Sequence, residues 1–172
     1  MTEEIFPIVD ENGNITGKAT RKECHSGSKI LHPVVHLHVL DQDGNIFLQL
    51  RSRSKEIQPG KWDTSVGGHV DFGENVLMAL KRESKEELGI ELNNYHHLLS
   101  YVFESDIEKE LIYVFSTTVD RDTFSPTLSE SEIDDARFFS DDEIQSQKGS
   151  GIFTPNFISE YERICNLLRK EK

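Results

Sequence analysis

Cysteine is scarce in this 172-residue chain. Its two cysteines, Cys24 and Cys165, lie far apart and in no metal-finger or redox spacing, which excludes a disulfide scaffold and predicts free thiols. Positive charge is also in deficit, since 19 Lys and Arg against 31 Asp and Glu leave a formal net charge of −12. That balance repels polyanions, so neither nucleic-acid polymers nor anionic membrane surfaces are expected partners. A long apolar run is missing too, which argues against a membrane-spanning helix. The opening MTEEIFPIVD is acidic where a secretory signal is basic, so a cytoplasmic location is expected. Without repeats, low-complexity tracts or a Pro/Ser-rich linker, residues 1–172 read as one domain long enough to bury a core.

What is present is a set of short strand patterns around two helices. IFPIVDENGNITGKAT predicts a hairpin about Asn12-Gly13, and a polar loop or short helix with His25 and His32 completes residues 1–33. VVHLHVLDQDGNIFLQLRSRS predicts two strands about Asp43-Gly44, with His36 and His38 on one face as strand residues with ordinary hydrogen-bond partners. After a Pro59-Gly60 turn, one short strand is expected from Trp62 to Val66. LLSYVFES and ELIYVFSTTV read as buried strands, ARFFS as another, and Trp62, Tyr101 and Phe103 as core packing. SDDEIQSQKGSG is loop-like, with one helical turn capped by Ser140 and Glu143. Residues 157–170 form an amphipathic helix with Ile158, Tyr161, Ile164, Cys165 and Leu168 on one face. The pattern predicts an α/β protein, a mixed sheet with helices on both faces.

The second helix follows Gly67-Gly68 and ends at Gly89, a C-cap glycine. At about 100° per residue it gathers Glu83, Glu86 and Glu87 on one narrow side. Leu77, Leu80, Ser84 and Leu88 form the neighbouring stripe expected to pack on the core. The like-charged pair Glu83 and Glu87 costs roughly 0.2–0.5 kcal/mol, and all three acids oppose the helix dipole. A hard divalent cation such as Mg²⁺ offsets both penalties.

The spacing of Gly68, Glu74, Arg82, Glu83, Ser84, Glu86, Glu87, Gly89 and Ile90 resembles the Nudix box, residues 67–90, with Ser84 the one departure, in place of an aliphatic residue. A chance match to seven specified residue types is on the order of 10⁻⁷ per starting point, which sets coincidence aside. The resemblance implies a Nudix-type α/β/α sandwich that hydrolyses a nucleoside or other organic diphosphate. It implies Mg²⁺ or Mn²⁺ on Glu83, Glu86 and Glu87, and water activated by a glutamate, with Glu86, Glu87, Glu130 and Glu132 all candidates. Glu74 is expected to pair with Arg82 and brace the loop, and Arg51 and Lys55 to clamp the diphosphate.

RKECHSGSKILHP and the segment following it, through the box, also resemble isopentenyl diphosphate isomerases, a Nudix-fold branch. This implies metal ligation by His25, His32, His69, Glu108 and Glu110, a second, substrate-linked Mg²⁺ on Glu87, and diphosphate binding by Arg51 and Lys55. Two histidines and two strand carboxylates at i, i+2 suit a transition-type cation such as Mn²⁺ or Zn²⁺. The position of the isomerase's catalytic cysteine is Gly67, so one acid/base partner is missing while Arg82, Glu83, Glu86 and Glu87 keep the hydrolase pattern. A hydrolase of the isomerase-like branch is therefore expected, with an isomerase or a silent diphosphate-binding domain as alternatives. Nucleoside diphosphates, nucleotide sugars, dinucleotides and prenyl diphosphates all stay open as substrates, and so does a homodimer.

Overall fold

Two turns of the same design open the chain. In the computed structural model, which describes residues 3–170, β1 (Ile5–Val9) and β2 (Ile15–Thr20) pair antiparallel around Asp10–Asn14. The Asp10 carboxylate accepts the backbone N–H groups of Asn12 and Asn14, both at 2.9 Å. Asp41 repeats this with the N–H groups of Asp43 and Asn45 between β3 (Leu31–Leu40) and β4 (Ile46–Arg51). Gly13 and Gly44 supply the positive φ at each bend, 85° and 84°. Between β2 and β3, Thr20 and Glu23 form a capping box on the one-turn α1 (Arg21–Cys24).

β3 is the spine of the main sheet. One edge pairs parallel with β8 (Lys109–Thr118), which in turn pairs antiparallel with β7 (His96–Glu104). The other edge is shared: Val39 and Leu40 pair with β4, whereas Val34 to Leu37 pair with β6 (Val66–His69). β4 also pairs with β5 (Trp62–Asp63) and with β9 (Ile133–Phe139). β3 and β4 thus splay apart, and Thr64 and Ser65 cross the wedge between them. The single strand expected from Trp62 to Val66 is instead two, because its halves pair with different partners.

Helices cover both faces. α2 (Val76–Leu88) packs over Val35, Leu37, Val39, Val66 and Phe115, while α4 (Pro155–Lys170) buries Phe157, Tyr161, Ile164 and Leu168 against Val34, Leu40, Ile112 and Val114. α3 (Asp141–Gln147) joins the second cluster through Ile144 and carries the expected capping box of Ser140 and Glu143 over nearly two turns. This is the α/β/α sandwich with a mixed sheet expected from the sequence. Two details differ. Leu77 is exposed, because the packed stripe of α2 runs through Ala79, Leu80, Ser84 and Leu88. β7 is an edge strand with alternating exposure rather than a buried one. Cys24 and Cys165 are both free thiols.

Candidate active site and metal centre

The Asn75 side chain caps α2 by accepting the Met78 N–H at 2.8 Å, and Gly89 closes it at φ 64°. The loop after Phe124 docks on that end: Thr127 and Ser129 donate their N–H groups to the carbonyls of Leu88 and Glu87. Ser84, buried where an aliphatic was expected, turns its hydroxyl back to the Leu80 carbonyl at 2.7 Å. At the other end Arg82 grips Glu74 through Nε at 2.7 Å and Nη2 at 2.9 Å, and donates to the His69 carbonyl at 3.0 Å. The brace expected between Glu74 and Arg82 is present.

The three box glutamates share a side of α2 but not an environment. Glu87 enters the wedge between β4 and β6, where it accepts from the Gln49 amide at 3.0 Å and the Gly67 N–H at 3.1 Å. Glu83 lies half under Gly68 and beside Arg82, whose Nη1 donates to it at 2.8 Å. Glu86 stands on the outer flank, 58% exposed, also within reach of Arg82. Burial pushes the Glu83 carboxyl up to about 7 against the pull of Arg82. It pushes Glu87 up to about 8, aided by the charges of Glu83 and Glu132 and opposed by the Gln49 and Gly67 hydrogen bonds. Neighbouring desolvated carboxylates oppose each other's ionisation, and a cation between them reverses that.

A second cluster forms where β3, β6 and β8 meet the hairpin. Ligand atoms of His25, His32 and His69 lie within 4.8 Å of one another, as do those of His32, Glu108 and Glu110. His32 is fixed by Nδ1 donating to the Ile30 carbonyl at 2.9 Å, which leaves Nε2 as the free acceptor. The Nε2 atoms of His25, His32 and His69 are all buried without a hydrogen-bond partner. His25 Nε2 does lie 3.1 Å from Glu108, but without hydrogen-bonding geometry. Desolvation holds all three histidines below their usual value, which favours the neutral imidazole that a cation requires, while burial and Glu108 raise Glu110 to about 7. Phe6 stacks on His69 at 4.4 Å and roofs the cluster. Three imidazoles and two carboxylates fit a transition-type cation.

The flanking candidates separate. Arg51 donates to the Ile57 carbonyl and lies 3.5 Å from Asp63, and Lys55 lies 3.8 Å from Glu132. Glu132 is held near the box because the Ser52 N–H donates to its carbonyl, and its charge reaches both Glu83 and Glu87. Glu130 is exposed.

The loop-helix-loop with its braced arginine and its glutamates on one side of the helix is that of a known family, and the NUDIX domain profile matches residues 30–159. The chain belongs to the Nudix hydrolase family. A Nudix hydrolase of Listeria monocytogenes, named as uncharacterised, is 33% identical over 156 residues, 90% of each chain. An isopentenyl-diphosphate Delta-isomerase of Kocuria rhizophila is 31% identical over 138 residues, 77% of this chain and 75% of that one. The crystal structure of DR0079 from Deinococcus radiodurans superposes with a TM-score of 0.77 at 23% identity, covering 97% and 98% of the two chains, and so shares the fold. The sequence reading missed Gln49, which donates to Glu87, and Glu160, a carboxylate buried on the packed face of α4. Glu160 did leave a signal: it falls in register with Phe157, Tyr161, Ile164 and Leu168, at apolar-face spacing.

Proposed function

We propose that this chain hydrolyses the pyrophosphate linkage of a nucleoside or other organic diphosphate, with Mg²⁺ or Mn²⁺ held by Glu83, Glu86 and Glu87. The observation that carries this reading is a buried Glu87, accepting from the Gly67 N–H, beside a partly buried Glu83 packed against Gly68. When bound, the cation neutralises phosphate charge and acidifies the attacking water. Arg82 and Gln49 hold the carboxylates in place, and Arg51 and Lys55 bring positive charge to the phosphates of a strongly acidic protein. Glu132 is best placed to accept the proton of the water, since it stands near the box glutamates yet half exposed. His25, His32, His69, Glu108 and Glu110 would hold a second, transition-type cation.

Gly67 favours hydrolysis over double-bond isomerisation. It lies on β6 opposite His36 of β3 and offers no side chain to exchange a proton. The test is phosphate release with Mg²⁺ and with Mn²⁺ from nucleoside di- and triphosphates, nucleotide sugars, dinucleotides and prenyl diphosphates, each also assayed for isomerisation. Metal-dependent release that Glu87→Gln abolishes is the expected result. Isomerisation without release overturns the reading.

A further inference from the structure

The hydrolase reading leaves a buried polar cluster behind the site unused. Glu160 of α4 is 1% exposed, yet its carboxylate meets three donors: His36 Nδ1 at 2.7 Å, His38 Nε2 at 2.6 Å and the Tyr101 hydroxyl at 2.7 Å. Three donors hold it ionised, and burial demands a compensating positive charge nearby. A second proton on His38 would sit on Nδ1, which is buried without a partner. His36 is the better bearer, because its ring is 18% exposed and its Nε2 edge lies beside Gly67.

Strand register shows where that nitrogen points. Alternation puts His32 and His36 on one face of β3. Gly67 lies directly opposite His36 on β6, and Glu110 directly opposite His32 on β8. A Cβ at position 67 would stand 3.3 Å from His36 Cδ2 and 3.6 Å from Nε2. The bare Gly67 therefore leaves the Nε2 edge of His36 uncovered on the same face of the sheet as His32 and Glu110. Burial works against a charged ring there, but the carboxylate of Glu160, with Glu110 and Asp63 adding to it, raises His36 to about 9.

We propose that His36 is a substrate-binding residue of the diphosphate site, donating from Nε2 to a phosphate oxygen lying over Gly67, with Glu160 as its positioning residue. This rests on the diphosphate reading above. It also gives Gly67 a purpose: a side chain at that position would cover the donor.

Inorganic pyrophosphate, with Mg²⁺, is the probe. Its binding is measured by calorimetry from pH 6 to 10 for wild type, His36→Gln and Glu160→Gln. A charged hydrogen bond of roughly 1.5–3 kcal/mol makes the expected loss in His36→Gln about ten- to a hundredfold, with KM rising more than kcat falls. In Glu160→Gln the ring remains but loses its counter-ion, so the alkaline limb of binding moves to lower pH. Glu110, Asp63, His69, His38 and Tyr101 also surround His36, and none of them is altered in this variant. Binding within twofold of wild type in His36→Gln overturns the proposal. If that variant fails to fold, ¹⁵N spectra of wild-type histidine rings decide: pyrophosphate must move the His36 Nε2 resonance, and an unmoved resonance overturns it. Turnover by Glu87→Gln separates the two readings, since full activity there sinks the hydrolase whereas its loss beside an unaffected His36→Gln sinks only the role of His36.

Discussion

Gly68 and Glu83 compete for one space: a Cβ added to Gly68 would overlap the Glu83 carboxyl group. The glycine is there so that a helix carboxylate can lie against a strand backbone. Gly68→Ala must therefore push Glu83 out of the site. The carboxyl group is the far end of a flexible, partly exposed side chain and can give way, so the expected result is a folded protein with at least tenfold lower kcat, read from turnover alongside thermal unfolding. Unchanged turnover would remove Glu83 from the metal-holding set.

Glu132 and Glu130 can be told apart by their surroundings. The first is tied to β4 through Ser52 and acts on Glu83 and Glu87, and the second faces solvent. A lost general base lowers kcat by about 10²–10⁴. Glu132→Gln should show such a drop and Glu130→Gln a much smaller one, in steady-state assays on whichever substrate the panel identifies. The reverse order would move the base to Glu130.

The raised Glu87 carboxyl makes a pH-dependent contribution to stability. Its folded value, about 8, lies above the ordinary 4.5. Stability from this group is therefore complete below pH 4.5 and lost as pH rises through about 8, a difference on the order of a few kcal/mol. With a chelator present, Glu87→Gln should gain thermal stability over wild type between pH 5 and 8, with the gap widening upward. Mg²⁺ should stabilise wild type most at the upper end. Parallel curves for the two proteins would mean that Glu87 titrates normally.

The histidine cluster makes a claim about metal content. Removing His25 and His32 takes away two of three converging imidazoles, so the double variant His25→Ala/His32→Ala should retain about one metal ion fewer per chain by elemental analysis. Loss of His25 alone is the milder control, since its ring is more exposed than that of His32. Equal metal in wild type and the double variant would eliminate the site.

Much of this was readable along the chain because neighbours encode it. The Asn12-Gly13 and Asp43-Gly44 turns, the Ser140 cap, the Gly89 stop and the spacing from Gly68 to Glu87 all act within a few residues. The resemblance to a known family added His32 and the four residues that converge on it. Helical periodicity placed Glu83, Glu86 and Glu87 on one side without telling the exposed Glu86 from the buried Glu87. That difference comes from the splay of β3 and β4, a property of strand pairing, which opens a wedge for one carboxylate only. His36 and His38 read as ordinary strand residues, and their partner is Glu160, more than 120 residues away. Sequence determined the elements and the chemistry they carry. Burial, and with it the charge state of each acid and imidazole, was decided by tertiary packing, because desolvation depends on which distant segments close over a group.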